Sequence, residues 1–175
     1  DVSSGSQKRI WWICSKGHEW EAIIYNRSKG KGCPICANKK VDISNCLSTV
    51  NPDLSKEWHP NKNNNLTPKE VVAFSSKKAW WKCNKGHEWY ASIYHRNKGI
   101  GCPYCSGKKA SSTHNLELKN PKLAIEWHPT KNSDLTPEKV TPNSHLIVWW
   151  ICSKDHEYDA RVADRNRGNG CPFCA

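Results

Sequence analysis

The sequence predicts a row of small α+β modules, each a β-hairpin pinned at one end and joined to the next by short helices. Three observations lead there: a repeat, a recurring quartet of Cys and His residues, and a composition that cannot build a large aliphatic core. Of the 175 residues only 37% are hydrophobic, with two Phe and no Met, but with ten Trp and ten Cys. Such a chain needs cross-links to close its small interiors. No stretch approaches the roughly 18 apolar residues of a membrane span, so no membrane partner is expected. The opening DVSSGSQKRI has no apolar signal region and no Met, and reads as part of a longer polypeptide with further domains. An intracellular setting, cytoplasm or nucleoid with the nucleus left open, follows as an expectation. Lys and Arg number 27 against 16 Asp and Glu, a formal charge of +11 that points to an acidic partner, with nucleic acid foremost.

The repeat sets the frame. WWICSKGHEW at 11–20 returns as WWKCNKGHEW at 80–89 and WWICSKDHEY at 149–158, a shift of 69 residues each time. Residues 37–105 laid on 106–174 without a gap agree at 31 of 69 positions. NPDLSKEWHPNKNNNLTPKEV at 51–71 likewise returns at 120–140. The organisation is therefore a first module at 1–36, then connector plus module at 37–105 and at 106–175. Asp1 aligns with Glu70, so the first module lacks the EWHP…LTP stretch that precedes the other two.

Each module carries Cys-x3-His and then Cys-Pro-x-Cys. The sets are Cys14, His18, Cys33, Cys36; Cys83, His87, Cys102, Cys105; and Cys152, His156, Cys171, Cys174. Three thiolates and one imidazole in two close pairs are the donor set of a closed, tetrahedral Zn²⁺ site, so three structural zinc ions are expected. Iron takes the same donors. Disulfides would need an oxidising setting and would leave the recurring His unexplained. Four protein ligands leave no position for water, so no catalysis is expected. Gly17 and Gly86 serve the turn in the first pair, and Gly32, Gly101 and Gly170 precede the second. Cys46 aligns with Asn115 and is expected to be a free thiol. His59 and His128, in Glu-Trp-His-Pro, are expected to make structural hydrogen bonds. His95, His114 and His145 have no repeated counterpart and are not expected to be ligands.

The elements follow in order. RIWWIC and HEWEAIIYNR read as two strands joined by the metal turn, the second with Trp20, Ala22 and Ile24 on its inner face. Strand alternation turns one Trp of each adjacent pair toward the metal and leaves the other for the connector. Asn51-Pro52 and Asn120-Pro121 predict N-capped helices running through Trp58 and Trp127. Thr67-Pro68 and Thr136-Pro137 predict a further turn, which Glu70 closes as a capping box and Lys139 does not. Buried indoles, each covering roughly 200 Å², replace the aliphatic core.

The string EWHPxKNxxLTPxxV…S…WWxCxxxHEWxAxxxxRxxGxGCPxC resembles a bacterial and viral family of probable zinc-ribbon, treble-clef-like domains. The resemblance covers nearly the whole chain. It implies a tandem array of such units, in some cases joined to endonuclease-like domains of the very-short-patch-repair type. The third unit departs from the pattern at Asp155, where the others carry Gly, and at Tyr158, where they carry Trp.

Comparison of the three units separates fixed from variable positions. Lys16, Lys85 and Lys154 recur inside the metal turn, and Arg27, Arg96 and Arg165 after the second strand. The loops that follow add Lys29, Lys31, Lys98 and Arg167. Repeated cations on rigid modules suit evenly spaced phosphates. The residue before the fixed Arg changes, from Asn26 to His95 to Asp164, and these side chains could pair with different bases. A solvated face free to vary is the plain alternative. The expected function is nucleic-acid binding, to double-stranded DNA first, positioning a larger protein such as a nuclease. Single-stranded DNA or RNA, or a protein-interaction scaffold, are the alternatives. No nucleophile motif or phosphate-binding loop appears, so an enzyme is not expected. Each zinc with three thiolates contributes −1, which lowers the charge of the loaded protein to about +8.

Overall fold

The computed structural model describes residues 2–174. They form two compact units, 1–100 and 101–175. In the first, β1 (Arg9–Ile13) and β2 (Glu19–Ile23) make an antiparallel hairpin with Trp12 opposite Trp20, and β2 runs into the one-turn helix α1 (Ile24–Ser28). The connector carries α2 (Leu47–Val50) and α3 (Pro52–Ser55). A second hairpin follows, β3 (Lys78–Lys82) and β4 (Glu88–Ser92), with Trp81 opposite Trp89, and then α4 (Ile93–Asn97). The second unit repeats the plan with α5 (Leu116–Lys119), α6 (Pro121–Ala124), a 3₁₀ turn at Pro137–Lys139, β5 (Ile147–Ile151), β6 (Glu157–Arg161) and α7 (Val162–Asn166).

The second strand of each hairpin is shorter than its alternation predicts. Trp20 and Ile24 are buried as expected, but the chain turns helical at Ile24. Helical spacing then places Arg27 three residues after Ile24, and Arg96 three after Ile93, on the inner face. The glycines that end these helices in the left-handed region are Gly30, Gly99 and Gly168, with φ of 82°, 90° and 103°. Gly32, Gly101 and Gly170, just before the second ligand pair, do not adopt positive φ.

Asn51 and Asn120 cap α3 and α6 as predicted, accepting from the N–H of Leu54 and Leu123, with Pro at the start of each helix. The helices end sooner than expected. Trp58 and Trp127 lie beyond them in extended backbone, each bridged to a hairpin Trp, Trp81 and Trp150. A helix there would have turned the indole away from the hairpin edge it packs on. The short helices α2 and α5 are additional to the elements that the sequence predicts, and Asn115 caps the second of them through Leu118 N–H.

The core is the same seven side-chain positions used twice. Leu116, Leu123, Val140, Val148, Trp150, Tyr158 and Val162 form one buried cluster together with Cys171. Their counterparts 69 residues earlier, Leu47, Leu54, Val71, Ala79, Trp81, Trp89 and Ile93, are buried as well. Beside the first hairpin Trp20, Cys33 and Ile35 form a smaller buried cluster, with Trp12, Cys14 and Ala22 packed partly against it.

Candidate metal centres

The turn between the strands of each hairpin is fixed by two backbone hydrogen bonds. In the first, Cys14 N–H donates to His18 C=O (3.1 Å) and Gly17 N–H to Cys14 C=O (2.9 Å). The residue after the recurring Lys needs positive φ, which Gly17 and Gly86 adopt at 80° and 81°. Asp155 takes the same conformation at φ 60°, with the same pair of bonds at 3.1 and 2.9 Å. The substitution therefore keeps the turn and places a Cβ where glycine would carry none.

Within this frame the four ligand atoms of each set lie within 4.8 Å of one another, in all three sets. In the first, His18 Nδ1 stands 3.4 Å from Cys14 Sγ, 3.2 Å from Cys36 Sγ and 3.6 Å from Cys33 Sγ. Cys14 and Cys36 Sγ are 3.8 Å apart. The third set gives 3.6, 3.2 and 3.7 Å to His156 Nδ1, and 3.8 Å between Cys152 and Cys174. In the second, Cys83 Sγ and His87 Nδ1 are 3.5 Å apart. Tetrahedral zinc with bonds of about 2.3 Å to sulfur and 2.0–2.1 Å to nitrogen requires edges of about 3.8 Å (S···S) and 3.6 Å (S···N). The quartets fit zinc, and the ion would cross-link the hairpin turn to the Cys-Pro-x-Cys loop. The ten cysteines are thiols, and no disulfide competes for them among the described residues.

The thiols of a quartet divide their protons unequally. Burial works against the Cys14 thiolate, but N–H donation from Lys16 and His18 and contacts from Cys36 and Cys33 outweigh it and bring its pKa to about 6. Burial pushes Cys36 up to about 11, with Cys33 and Cys14 adding to the rise. Cys174 is pushed to about 11 in the same way. The three thiols of each quartet would give up these protons to a bound dication, which would favour the thiolate at every position.

The other ring nitrogen of His18 faces Ser44 Oγ at 3.1 Å, a contact from the loop beyond the quartet that orients the imidazole. Comparison of the repeats does not single out Ser44, because its counterpart is Thr113. The acid after the ligand His has a clear task in the later modules. His59 Nδ1 accepts from the N–H groups of Asn61 and Lys62, both at 3.1 Å, which leaves the proton on Nε2, 3.1 Å from Glu88. His128 repeats this with Glu157 at 3.0 Å. Lys62 at 2.6 Å and His59 hold the Glu88 carboxyl down to about 2. Lys131 and His128 lower Glu157 likewise. The structural role expected of His59 and His128 is thus seen, and the acid beside each metal ligand receives it.

The recurring arginines require a correction. Arg96 and Arg165 are 5% and 8% exposed, and present no guanidinium to a polymer. Arg96 stacks on Trp81 and Trp89 at 5.1 and 5.0 Å and donates to Glu57 and to Ile100 C=O. Arg165 does the same with Trp150, Tyr158, Glu126 and Asn169 C=O. Arg27 lies over Trp12 and Trp20 at 5.0 and 5.4 Å and is half-buried. The fixed Glu of Glu-Trp-His-Pro is the signal: two opposite charges that recur together are candidates for each other.

The lysines behave differently. Lys16, Lys85 and Lys154 are exposed at the tips of the metal turns, and Lys29, Lys31, Lys98 and Arg167 are exposed in the loops. Lys29 and Lys98 lie over the exposed rings of Tyr25 and Tyr94 at 5.6 and 5.8 Å. Of the variable trio, Asn26 accepts from Lys31 (3.1 Å), Asp164 accepts from Arg167 (3.0 Å), and His95 is exposed against Tyr94. These residues start from helices rather than from an outward strand face. Of each Trp pair in the later modules, both members meet the connector, where the expectation gave it only the outer one. The buried member, Trp81 or Trp150, is the one that meets the connector Trp edge to face, at 5.2 and 5.3 Å. The outer one is covered by a connector lysine, Lys62 over Trp80 and Lys131 over Trp149.

Hairpin, short helix and Cys3His quartet together define a zinc-finger module, present three times. The profile of the family described as Probable Treble clef zinc finger domain matches residues 1–39, 54–108 and 123–175, and the chain belongs to that family. No curated protein matches it.

Proposed function

We propose that the chain is a non-catalytic, zinc-stabilised array that binds nucleic acid, duplex DNA first, and holds a larger protein there, a nuclease among the candidates. The observation that carries this reading is the exposed lysine at the tip of every metal turn, Lys16, Lys85 and Lys154. Each stands in a turn held by two backbone hydrogen bonds, and no carboxylate pairs with it among the described residues. Lys29, Lys31, Lys98 and Arg167 extend the cationic surface, while Arg96 and Arg165 are buried and Arg27 is half-buried over Trp12 and Trp20. Base reading by Asn26, His95 and Asp164 is not carried further, because two of the three are engaged with neighbouring cations. An intracellular setting goes with this reading.

Fluorescence anisotropy with a labelled duplex tests it. Affinity should fall steeply and linearly in log salt, and the triple change Lys16→Glu, Lys85→Glu, Lys154→Glu should reduce it at least tenfold and flatten the slope by about three. A salt-independent affinity, or none, would refute DNA binding and favour a protein scaffold. Exposed Tyr25, Tyr90 and Tyr94 support a second reading, stacking on the bases of single strands. Tighter binding to single-stranded than to duplex DNA of the same sequence would select it.

A further inference from the structure

The later hairpins each hold a Glu-Trp-His-Pro segment along the outer edge of their first strand. In the second, His59 N–H donates to Trp80 C=O (3.0 Å) and Lys82 N–H to Glu57 C=O (2.7 Å), so the segment lies as a short third strand. Asn63 closes both backbone groups of Trp80, at 2.8 and 3.0 Å, and Glu57 receives Arg96. The third hairpin repeats the two backbone bonds at 3.1 and 2.8 Å.

The first hairpin offers the same edge without an occupant among the described residues. Trp11 is 71% exposed where its counterpart Trp149 is 37% exposed, and Trp12 is half-buried where Trp81 and Trp150 are completely enclosed. Arg27 stacks on its two indoles as Arg96 does, but no carboxylate among the described residues pairs with it. Glu19, which corresponds to the acceptor Glu88, has no ion-pair partner among them either. An edge strand with apolar rings, a cation and an acid in this order is a template for one more strand.

We propose that the β1 edge is a docking site for a Glu-Trp-His-Pro-x-Lys-Asn segment other than the two that this chain's later hairpins hold. The incoming Trp packs edge-on to Trp12, its Glu reaches Arg27, and its Lys covers Trp11 and meets Glu19. The complementarity of charge is what commits the site to this occupant: an acid for Arg27 and a cation for Glu19, at the spacing the connectors already use.

The test is a titration of a synthetic peptide of residues 51–72 into the zinc-loaded chain, read by calorimetry and by the indole N–H signals in an NMR spectrum. Saturable 1:1 binding is expected, with the Trp11 and Trp12 signals shifting and those of Trp81 and Trp150 unmoved. The peptide carrying Trp58→Ala should bind at least tenfold more weakly to the unaltered protein, and protein carrying Arg27→Ala should lose a similar factor. The peptide variant keeps the result independent of any loosening of the module by Arg27→Ala. Absence of binding overturns the proposal, as does binding indifferent to Trp58→Ala or confined to signals of the other hairpins.

Discussion

Arg96 donates to Glu57 at 2.5 Å across 39 residues of sequence, and its guanidinium lies over the rings of two tryptophans as it does so. The pair joins the end of a hairpin to the connector that precedes it. A cation this deeply enclosed is tolerated only with its carboxylate and its carbonyl acceptor in place. Arg96→Ala is expected to destabilise the zinc-loaded protein by about 2 kcal/mol, from its charge-assisted hydrogen bonds and its stacking on the indoles, because the Glu57 left behind is open enough to be solvated. Arg27→Ala, at a half-buried site without that carboxylate, should cost clearly less. Chemical denaturation of both variants checks the order, and equal losses would show that Glu57 contributes nothing.

Asp155 supplies a second expectation. It holds a left-handed conformation that Gly17 and Gly86 hold in the other modules. Asp155→Gly should therefore stabilise the third module by about 0.5–1 kcal/mol, and Gly86→Asp should weaken the second by a similar amount. Zinc affinity measured by competition with a chelator should move in the same directions. A drop in affinity on Asp155→Gly would mean the Asp side chain does something the turn geometry does not require.

The connector caps are a third. Asn51 accepts from Leu54 N–H and donates to Asn97 at 3.0 Å, and Asn120 repeats both contacts, reaching Asn166 at 3.1 Å. Each Asn thus fixes a helix start and ties it to the end of the next hairpin's helix. Asn120→Ala should cost about 1–2 kcal/mol, and Asn120→Asp, which keeps the cap but loses the amide donor, should recover about half of it. A full recovery would assign the whole effect to the cap.

Metal content is the fourth. The protein should release three zinc ions per chain when its thiols are titrated, and Cys105→Ser should leave two bound tightly. Removal of all three should abolish the hairpins' fixed near-ultraviolet signal, because the small interiors lose their metal cross-links. Retention of that signal in the stripped protein would mean the indole packing suffices without metal.

The parts of this fold legible in the sequence are those fixed by chemistry at short range. Ligand spacing marks the quartets, the Trp pairs mark the hairpins, and Asn-Pro marks the caps. Two features mislead for physical reasons. Ile24 and Arg27 fit both an alternating strand and a single helical turn, and only the helical reading buries the arginine. Trp58 follows a capped helix closely enough to be counted in it, yet pairs along the β3 edge because its indole has a partner there. The arginines suggest phosphate ligands because a recurring cation on a basic chain points outward to an acidic partner. In the later modules their partner lies 39 residues upstream, in the connector, too far along the sequence for a local pattern to reveal it. Cys46 is opaque to comparison of the repeats for a similar reason. It is a wholly buried thiol beside the hydroxyls of Ser48 and Thr49, at a position where the next repeat has a helix cap.

Each connector bonds to the hairpin that comes after it, through Trp58 to Trp81 and Trp127 to Trp150. A crossover between two points 69 residues apart therefore always leaves a connector facing a suitable hairpin. Removing residues 37–105 would join the first quartet to the last connector and leave that connector with the hairpin it already packs on. Loss or gain of one whole period would thus keep every remaining connector matched to a hairpin and leave each module's interior unchanged.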